Sequence, residues 1–185
     1  TFAQDAIDHG VKTLMVDRVP HLADSTDVTE VVVADSRRAM AYASARFYDN
    51  PSDAFKLVGI TGTNGKTTTT YLVEHIARAA GDLTGVIGTV GVQIGDERVA
   101  SSHTTPESPD LQAIMARMRD AGCNVVAMEV SSHALDLERV WGLSFAVTAF
   151  TNLTQDHLDY HKTFDAYFEA KALLFGEDYP ARRVV

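Results

Sequence analysis

Seven residues, Gly62-Thr63-Asn64-Gly65-Lys66-Thr67-Thr68, constrain this chain more than any other stretch, because of what stands on either side of them. Lys56 to Thr61 (KLVGIT) is an apolar run of strand length, and Thr67 to about Ala80 has helical periodicity that ends near Gly81. Strand, glycine turn and helix in that order form a phosphate-binding loop. Glycines let the backbone turn so tightly that successive N–H groups face one anion. The helix N-terminus adds partial positive charge. Lys66 is placed to reach the β- and γ-phosphates of a nucleotide, and the Thr67 hydroxyl to hold Mg²⁺. The run departs from G-x-x-x-x-G-K-[ST], because Ile60 stands at the first glycine position. Four successive threonines, Thr67 to Thr70, are mediocre helix formers, so helix propensity does not explain them. The plainer reading is a glycine turn that merely joins strand to helix; the flanking elements favour phosphate binding.

The remaining elements alternate in the same way. Phe2–His9 predicts a short helix closed by Gly10, and Thr13–Val16 and Glu30–Ala34 predict strands. Ser36 is placed to cap a helix from Arg37 to about Tyr48, with Ala39, Met40, Ala43 and Phe47 on one face. The polar run Asp49-Asn50-Pro51-Ser52-Asp53 reads as a domain boundary. Beyond the phosphate loop, strands are predicted at Thr84–Gly88, Val90–Ile94, Asn124–Val130 and Ala146–Thr151. Helices are predicted at Pro109–Ala121, capped by Ser108, and at Phe164 to about Phe175. This order implies an α/β fold, with a mostly parallel sheet and helices on both faces. Ligands of such sheets lie at the carboxyl ends of the strands.

Composition removes several classes. The 185 residues carry 16 Lys and Arg against 25 Asp and Glu, a net charge of −9, which disfavours nonspecific binding to nucleic acid. One cysteine, Cys123, excludes an intrachain disulfide framework and fits a reducing compartment. No apolar run reaches the ~18 residues of a membrane helix. The chain starts at Thr1 without Met and stops at Val185 as a β-branched run begins, so it reads as part of a longer protein.

Three further places hold candidate chemistry. Glu129 closes the apolar run Val125–Met128, at the strand end where the phosphate loop emerges; a buried carboxylate needs a metal or a cation, either Mg²⁺ or an ion pair with Arg139. Asn152 to His161 (NLTQDHLDYH) follows another apolar strand. Within it, His157 and His161 have the i, i+4 spacing of a weak zinc signal, with solvated or capping histidines as the alternative. Lys171 lies among Ala170, Ala172 and Leu174; burial would lower its pKa, whereas its own segment favours a lysine that snorkels to the surface.

Taken together, Thr61 to Thr68, His103-Thr104-Thr105-Pro106, Met128-Glu129-Val130-Ser131-Ser132-His133, Asn152 to His161 and the helix with Lys171 resemble the Mur ligase family, ATP-dependent enzymes of peptidoglycan precursor synthesis. The phosphate loop is shared with folylpolyglutamate synthetase relatives. The pairing of Glu-Val-Ser-Ser-His with Asp-His-Leu-Asp-Tyr-His is narrower. It is similar to members that add a diamino acid, diaminopimelate or lysine, to UDP-N-acetylmuramoyl-L-alanyl-D-glutamate. Phe47-Tyr48 and Pro51-Ser52 match them too, so the resemblance spans nearly the whole chain.

The resemblance implies a monomeric, cytoplasmic, three-domain parent. Residues 1–54 correspond to the later part of its UDP-binding domain, and residues 55–185 to the first part of its central ATPase domain. The acceptor-binding carboxyl domain lies outside the chain. Position by position, it implies that Gly62, Thr63, Asn64, Gly65, Lys66, Thr67 and Thr68 bind ATP. Thr67 and Glu129 hold one Mg²⁺ and His157 a second. Lys171 matches a lysine that the family carbamylates, with the carbamate near the metal. His103, Thr104, Thr105, Ser131 and Arg139 match contacts to the muramoyl-dipeptide nucleotide, with His103 standing where some members carry Asn. His133 and His161 belong to the motifs and are given no chemistry. The rival readings are a folylpolyglutamate synthetase-like ligase, a P-loop kinase and a nucleotide-binding module.

Overall fold

The computed structural model describes residues 2–19, 27–100, 103–179 and 181–185. A short first helix, α1 (Phe2–Asp8), leads to two parallel strands, β1 (Thr13–Val16) and β2 (Thr29–Val32), and to helix α2 (Ser36–Phe47). The larger unit follows with β3 (Lys56–Thr61), α3 (Lys66–Ala79), β4 (Thr84–Gly88), β5 (Gly91–Ile94), β6 (Glu97–Val99) and α4 (Ser108–Asp120). It continues with β7 (Val125–Glu129), α5 (Ser132–Asp136), β8 (Phe145–Phe150), α6 (Leu158–His161), α7 (Phe164–Ala172) and β9 (Ala181–Val184).

Seven strands form one sheet in the order β6-β5-β4-β7-β3-β8-β9. The five from β4 to β9 run parallel, and β5 and β6 fold back as an antiparallel edge. The mostly parallel α/β reading therefore holds, and β6 is an element the sequence reading lacked. The central strands are apolar runs because both faces are covered. Leu57, Ile87, Val126 and Met128 are fully buried, together with Leu111, Met115 and Met118 of α4. On α3, Glu74 is 2% exposed; its carboxylate accepts from Arg78 Nε at 2.7 Å and Thr84 Oγ1 at 2.9 Å, tying the helix to β4.

Register decides what the sheet presents at its carboxyl edge. Ile60 lies beside Glu129, Ile87 beside Met128, and Thr61 beside Phe150. The phosphate loop, Thr89, Glu129 and the segment from Thr151 thus emerge side by side, at the edge where such sheets bind ligands.

Three local expectations are corrected. Asp35, not Ser36, caps α2: its carboxylate accepts from the N–H groups of Arg37 and Arg38 at 2.8 and 3.1 Å, while Ser36 is already helical. Likewise Glu107 precedes α4 and Ser108 is its first residue. The buried stripe of α2 is Ala41 and Ala45, 0% and 3% exposed, whereas Phe47 is 80% exposed. Helix α2 rests on α4, and the alanines admit the close approach that a phenylalanine would block. Within the stretch 49–53, read as a domain boundary, Pro51 begins a 3₁₀ turn, Pro51–Ala54, with Pro51 and Ser52 buried.

Arginines fasten α2 to the larger unit. The Arg38 guanidinium lies 3.9 Å from the centroid of the Trp141 ring and pairs with Glu138 and Asp178 at 3.0 and 3.2 Å. Arg37 donates to Leu137 O at 3.4 Å.

Candidate functional site

A cavity of about 340 Å³ opens at this edge, between the phosphate loop, the end of β7 and the segment after β8. Gly62 and Gly65 have φ of +138° and +84°, a region that side-chain-bearing residues rarely adopt. At Gly62 a Cβ would also overlap Thr151 Oγ1. Gly65 caps α3 without a side-chain hydrogen bond. The amides of Gly65 to Thr68 thus form the helix end whose N–H groups have no partner within the helix.

Lys66 lines the cavity, and its Nζ donates to Gly62 O and Thr63 O, each at 2.8 Å. Burial lowers its pKa, opposed by the nearby charges of Glu129 and Asp156. Glu129 is 2% exposed and makes no pair with Arg139. Instead its Oε1 accepts from Thr67 Oγ1 and Thr89 N–H, both at 2.9 Å, and its Oε2 from Thr89 Oγ1 at 3.2 Å. A Cβ on Gly88 would overlap this carboxylate, so glycine at the end of β4 makes room for it.

The donor set fits a hard cation. A carboxylate and a threonine hydroxyl face the cavity beside the phosphate loop, and Mg²⁺ takes one or two protein oxygens together with substrate phosphates. Among the described residues no group of three or more His, Cys, Asp or Glu side chains could hold a metal alone. His157 and His161, whose spacing gave the weak zinc signal, line different cavities. His157, at φ +52°, precedes α6 as its cap residue and lines the cavity with its ring edge-on to His133. His161 turns away, and its Nε2 meets Ser132 Oγ at 3.0 Å. Burial, first among several causes, lowers the pKa values of His133 and His161.

Lys171 does not snorkel. It is 1% exposed, donates from Nζ to Gly62 O at 2.8 Å, and lies 4.6 Å from the centroid of the Tyr167 ring. Two lysines therefore share the Gly62 carbonyl. Desolvation, then the charge of Lys66, bring the Lys171 pKa down to about 8, with Asp156 acting the other way.

The residues matched to the muramoyl nucleotide divide. Thr104 and Ser131 line the cavity, and Thr104 Oγ1 lies 3.0 Å from Thr89 Oγ1. Thr105 is 1% exposed; its hydroxyl donates to Glu129 O at 2.9 Å and so holds the end of β7. Arg139 stands behind it, donating to Thr105 O at 3.1 Å and pairing with Glu107 at 2.6 Å. His103 lies outside the cavity, in a neighbouring groove with Asp110 and Arg117.

Thr89, Ser132, Glu107 and Tyr167 were not singled out from sequence. Thr89 had a signal, since it follows the apolar strand Thr84–Gly88 directly. Glu107 and Tyr167 gained their importance only through residues 32 and 104 positions away, Arg139 and Thr63, which sequence spacing does not reveal.

Comparison with known proteins gives the family and the fold. The family model of the Mur ligase middle domain matches residues 60–185. A UDP-N-acetylmuramoyl-L-alanyl-D-glutamate–2,6-diaminopimelate ligase of Geobacillus kaustophilus is 50% identical over 185 residues, covering 98% of this chain and 37% of that protein. The Corynebacterium glutamicum protein of the same name is 56% identical over 150 residues, 81% of this chain and 29% of its own length. A solved structure of a ligase of that name superposes with a TM-score of 0.77 at 30% identity, covering 94% of this chain and 34% of the other. A bifunctional folylpolyglutamate synthase/dihydrofolate synthase solved with Mn, AMPPNP and L-glutamate shares the fold at a TM-score of 0.62 and 22% identity, over 78% of this chain and 41% of its own. The chain thus spans about a third of the length of the curated relatives it matches.

Proposed function

The chain belongs to the Mur ligase family, and from that premise we propose that it carries the ATP-activating part of an amide-bond ligase of peptidoglycan precursor synthesis. The parent protein adds 2,6-diaminopimelate, the diamino acid in its relatives' names, to UDP-N-acetylmuramoyl-L-alanyl-D-glutamate. One observation carries the reading: Lys66, Thr67, Glu129, His157 and Lys171, drawn from four separate segments, line one cavity at the carboxyl edge of a parallel sheet. A kinase or a nucleotide switch would need the loop but not the whole set. Residues 1–54 belong to the UDP-binding domain and 55–185 to the central domain of a cytoplasmic, monomeric parent. No helix among the described residues is long and apolar enough to cross a membrane.

A carboxylate is a poor electrophile, so the ligase first makes it a better one. The substrate's glutamate carboxylate attacks the γ-phosphorus of ATP, the bond to the β-bridging oxygen breaks, and ADP leaves. The amine of the diamino acid then attacks the acyl carbon, phosphate leaves, and the amine loses a proton. The N–H groups of Gly65 to Thr68 bind phosphate oxygens, and Lys66 exchanges its loop carbonyls for them, which brings a desolvated cation to the charge that builds during transfer. Thr67 and Glu129 would hold Mg²⁺ and His157 a second ion; when bound, the metal would supply further positive charge against two mutually repelling anions. Thr104 and Ser131 contact the anionic substrate, and Arg139, braced by Glu107 behind Thr105, adds the positive charge that helps hold it in line. Thr105 supports that wall from behind, and His103 meets a more distant part of the nucleotide.

The test is made on the full-length protein. With ATP, Mg²⁺, the UDP-muramoyl dipeptide and diaminopimelate, ADP, phosphate and the tripeptide nucleotide are expected in equal amounts. Turnover with a folate and glutamate in place of these substrates, and none with them, would overturn the reading.

A further inference from the structure

We propose that Asn152 is a positioning residue for the nucleotide's phosphates, acting through the peptide units of the phosphate loop. The inference rests on reading Gly62–Thr68 as the nucleotide site.

Asn152 is the second residue past β8, and the parallel register of Thr61 with Phe150 brings it beside the loop. Its side-chain amide pairs with both backbone polar groups of Asn64. Its Oδ1 accepts from Asn64 N–H at 3.0 Å, and its Nδ2 donates to Asn64 O at 2.9 Å. Its own backbone carbonyl accepts from Thr63 N–H at 2.9 Å. A primary amide is the one small side-chain group that offers a donor and an acceptor side by side, as a peptide unit does. Thr151 Oγ1 adds a second donor to Asn64 O at 2.7 Å. The Thr63 hydroxyl is held in turn by Thr154, donating to its carbonyl and accepting from its N–H, both at 3.0 Å.

These bonds have a consequence for the anion. Two of the loop's N–H groups, those of Thr63 and Asn64, already point at Asn152 and away from the cavity. That leaves the amides of Gly65 to Thr68, at the start of α3, to face the phosphates. Asn152 thus selects which amides meet the anion and fixes the turn at Asn64 that aims them. It contacts no reacting atom, and it is exposed. Nothing in its surroundings makes it a core residue, so its loss leaves the fold standing while the cradle loses its preset shape.

Asn152→Asp is the sharpest variant. It keeps the shape and the acceptor for Asn64 N–H, but removes the donor to Asn64 O, sets like lone pairs against each other and adds a negative charge near the phosphates. Asn152→Ala removes both bonds without adding charge. In the full-length protein, Mg·ATP affinity measured by calorimetry is expected to fall about tenfold or more for Asn152→Asp, and less steeply for Asn152→Ala. The KM for ATP should rise in parallel, with the KM for the UDP-muramoyl dipeptide within about twofold of wild type and the melting temperature within a few degrees. Wild-type affinity in a folded Asn152→Asp or Asn152→Ala protein overturns the proposal, as does unfolding of both variants or an equal rise in both KM values. If the wild-type protein itself fails to bind Mg·ATP, the nucleotide reading has failed instead.

Discussion

Replacing Lys66 by alanine in the full-length protein is expected to lower ATP-dependent amide formation by roughly a hundred- to a thousandfold or more, the loss seen when one preorganised donor to a developing charge is removed. The fold should survive. Lys66 Nζ bonds to the carbonyls of Gly62 and Thr63, in a loop that water reaches, and without it the buried Glu129 carboxylate keeps its hydrogen bonds from Thr67 and Thr89. Its lowered pKa shows that the ammonium is held at a desolvation cost, and a phosphate is the partner that offsets it. Phosphate release and circular dichroism of the variant check both halves. Near-normal turnover in a folded protein would remove Lys66 from the mechanism.

Lys171→Ala is expected to be as damaging, for a different reason. The Lys171 amine is 1% exposed beside a second lysine, and its pKa of about 8 leaves a substantial neutral fraction near neutral pH. That is the form that attacks CO₂: a bond forms from Nζ to carbon as one C–O π bond opens, a proton leaves, and a carbamate results whose single negative charge is shared by two oxygens. A carbamate supplies the hard oxygen that Mg²⁺ takes, whereas an ammonium would repel the ion. Short-chain carboxylates such as acetate should restore part of the activity of Lys171→Ala and none to Lys66→Ala. An active protein whose Lys171 is unmodified by native mass spectrometry would exclude the carbamate.

The same amine gives an expected pH dependence of stability. The folded protein holds the Lys171 proton less tightly than the unfolded chain, at about 8 against 10.5. Between those values the unfolded state binds more protons, so stability of the unmodified protein rises with pH across that window. Below about 8 the burial penalty is felt in full. Lys171→Ala should lack this slope, which urea titrations of both proteins from pH 7 to about 10 would measure.

The phosphate loop could be read from sequence because each level agreed: an apolar strand, glycines at the turn, and a helix with Lys66 and Thr67 in its first turn. Glu129 could be read for a related reason, as a charge at the end of an apolar run. Lys171 could not. Its neighbours Ala170 and Ala172 say nothing about where Nζ goes, and only the packing of α7 sends it to Gly62 O. The buried face of α2 was misread because Phe47 is large and apolar, whereas the contact with α4 selects small residues, Ala41 and Ala45. Helices α5 and α6, with 5 and 4 residues, are too short to show a period. His157 lies outside helical geometry altogether, at φ +52°, so its spacing to His161 carried no metal information. The clamp of Asn152 on Asn64 joins residues 88 positions apart, through the strand register.

The most direct test of the central claim, that this loop activates a carboxylate with ATP, follows an oxygen atom. The dipeptide substrate is prepared with ¹⁸O in the glutamate carboxylate that becomes the amide, and the phosphate released by the full-length protein is analysed by mass spectrometry. Attack of that carboxylate on the γ-phosphorus predicts one ¹⁸O in each phosphate released during amide formation, because the oxygen leaves with phosphorus when the amine displaces it. Phosphate free of ¹⁸O, released in step with amide product, would contradict the account.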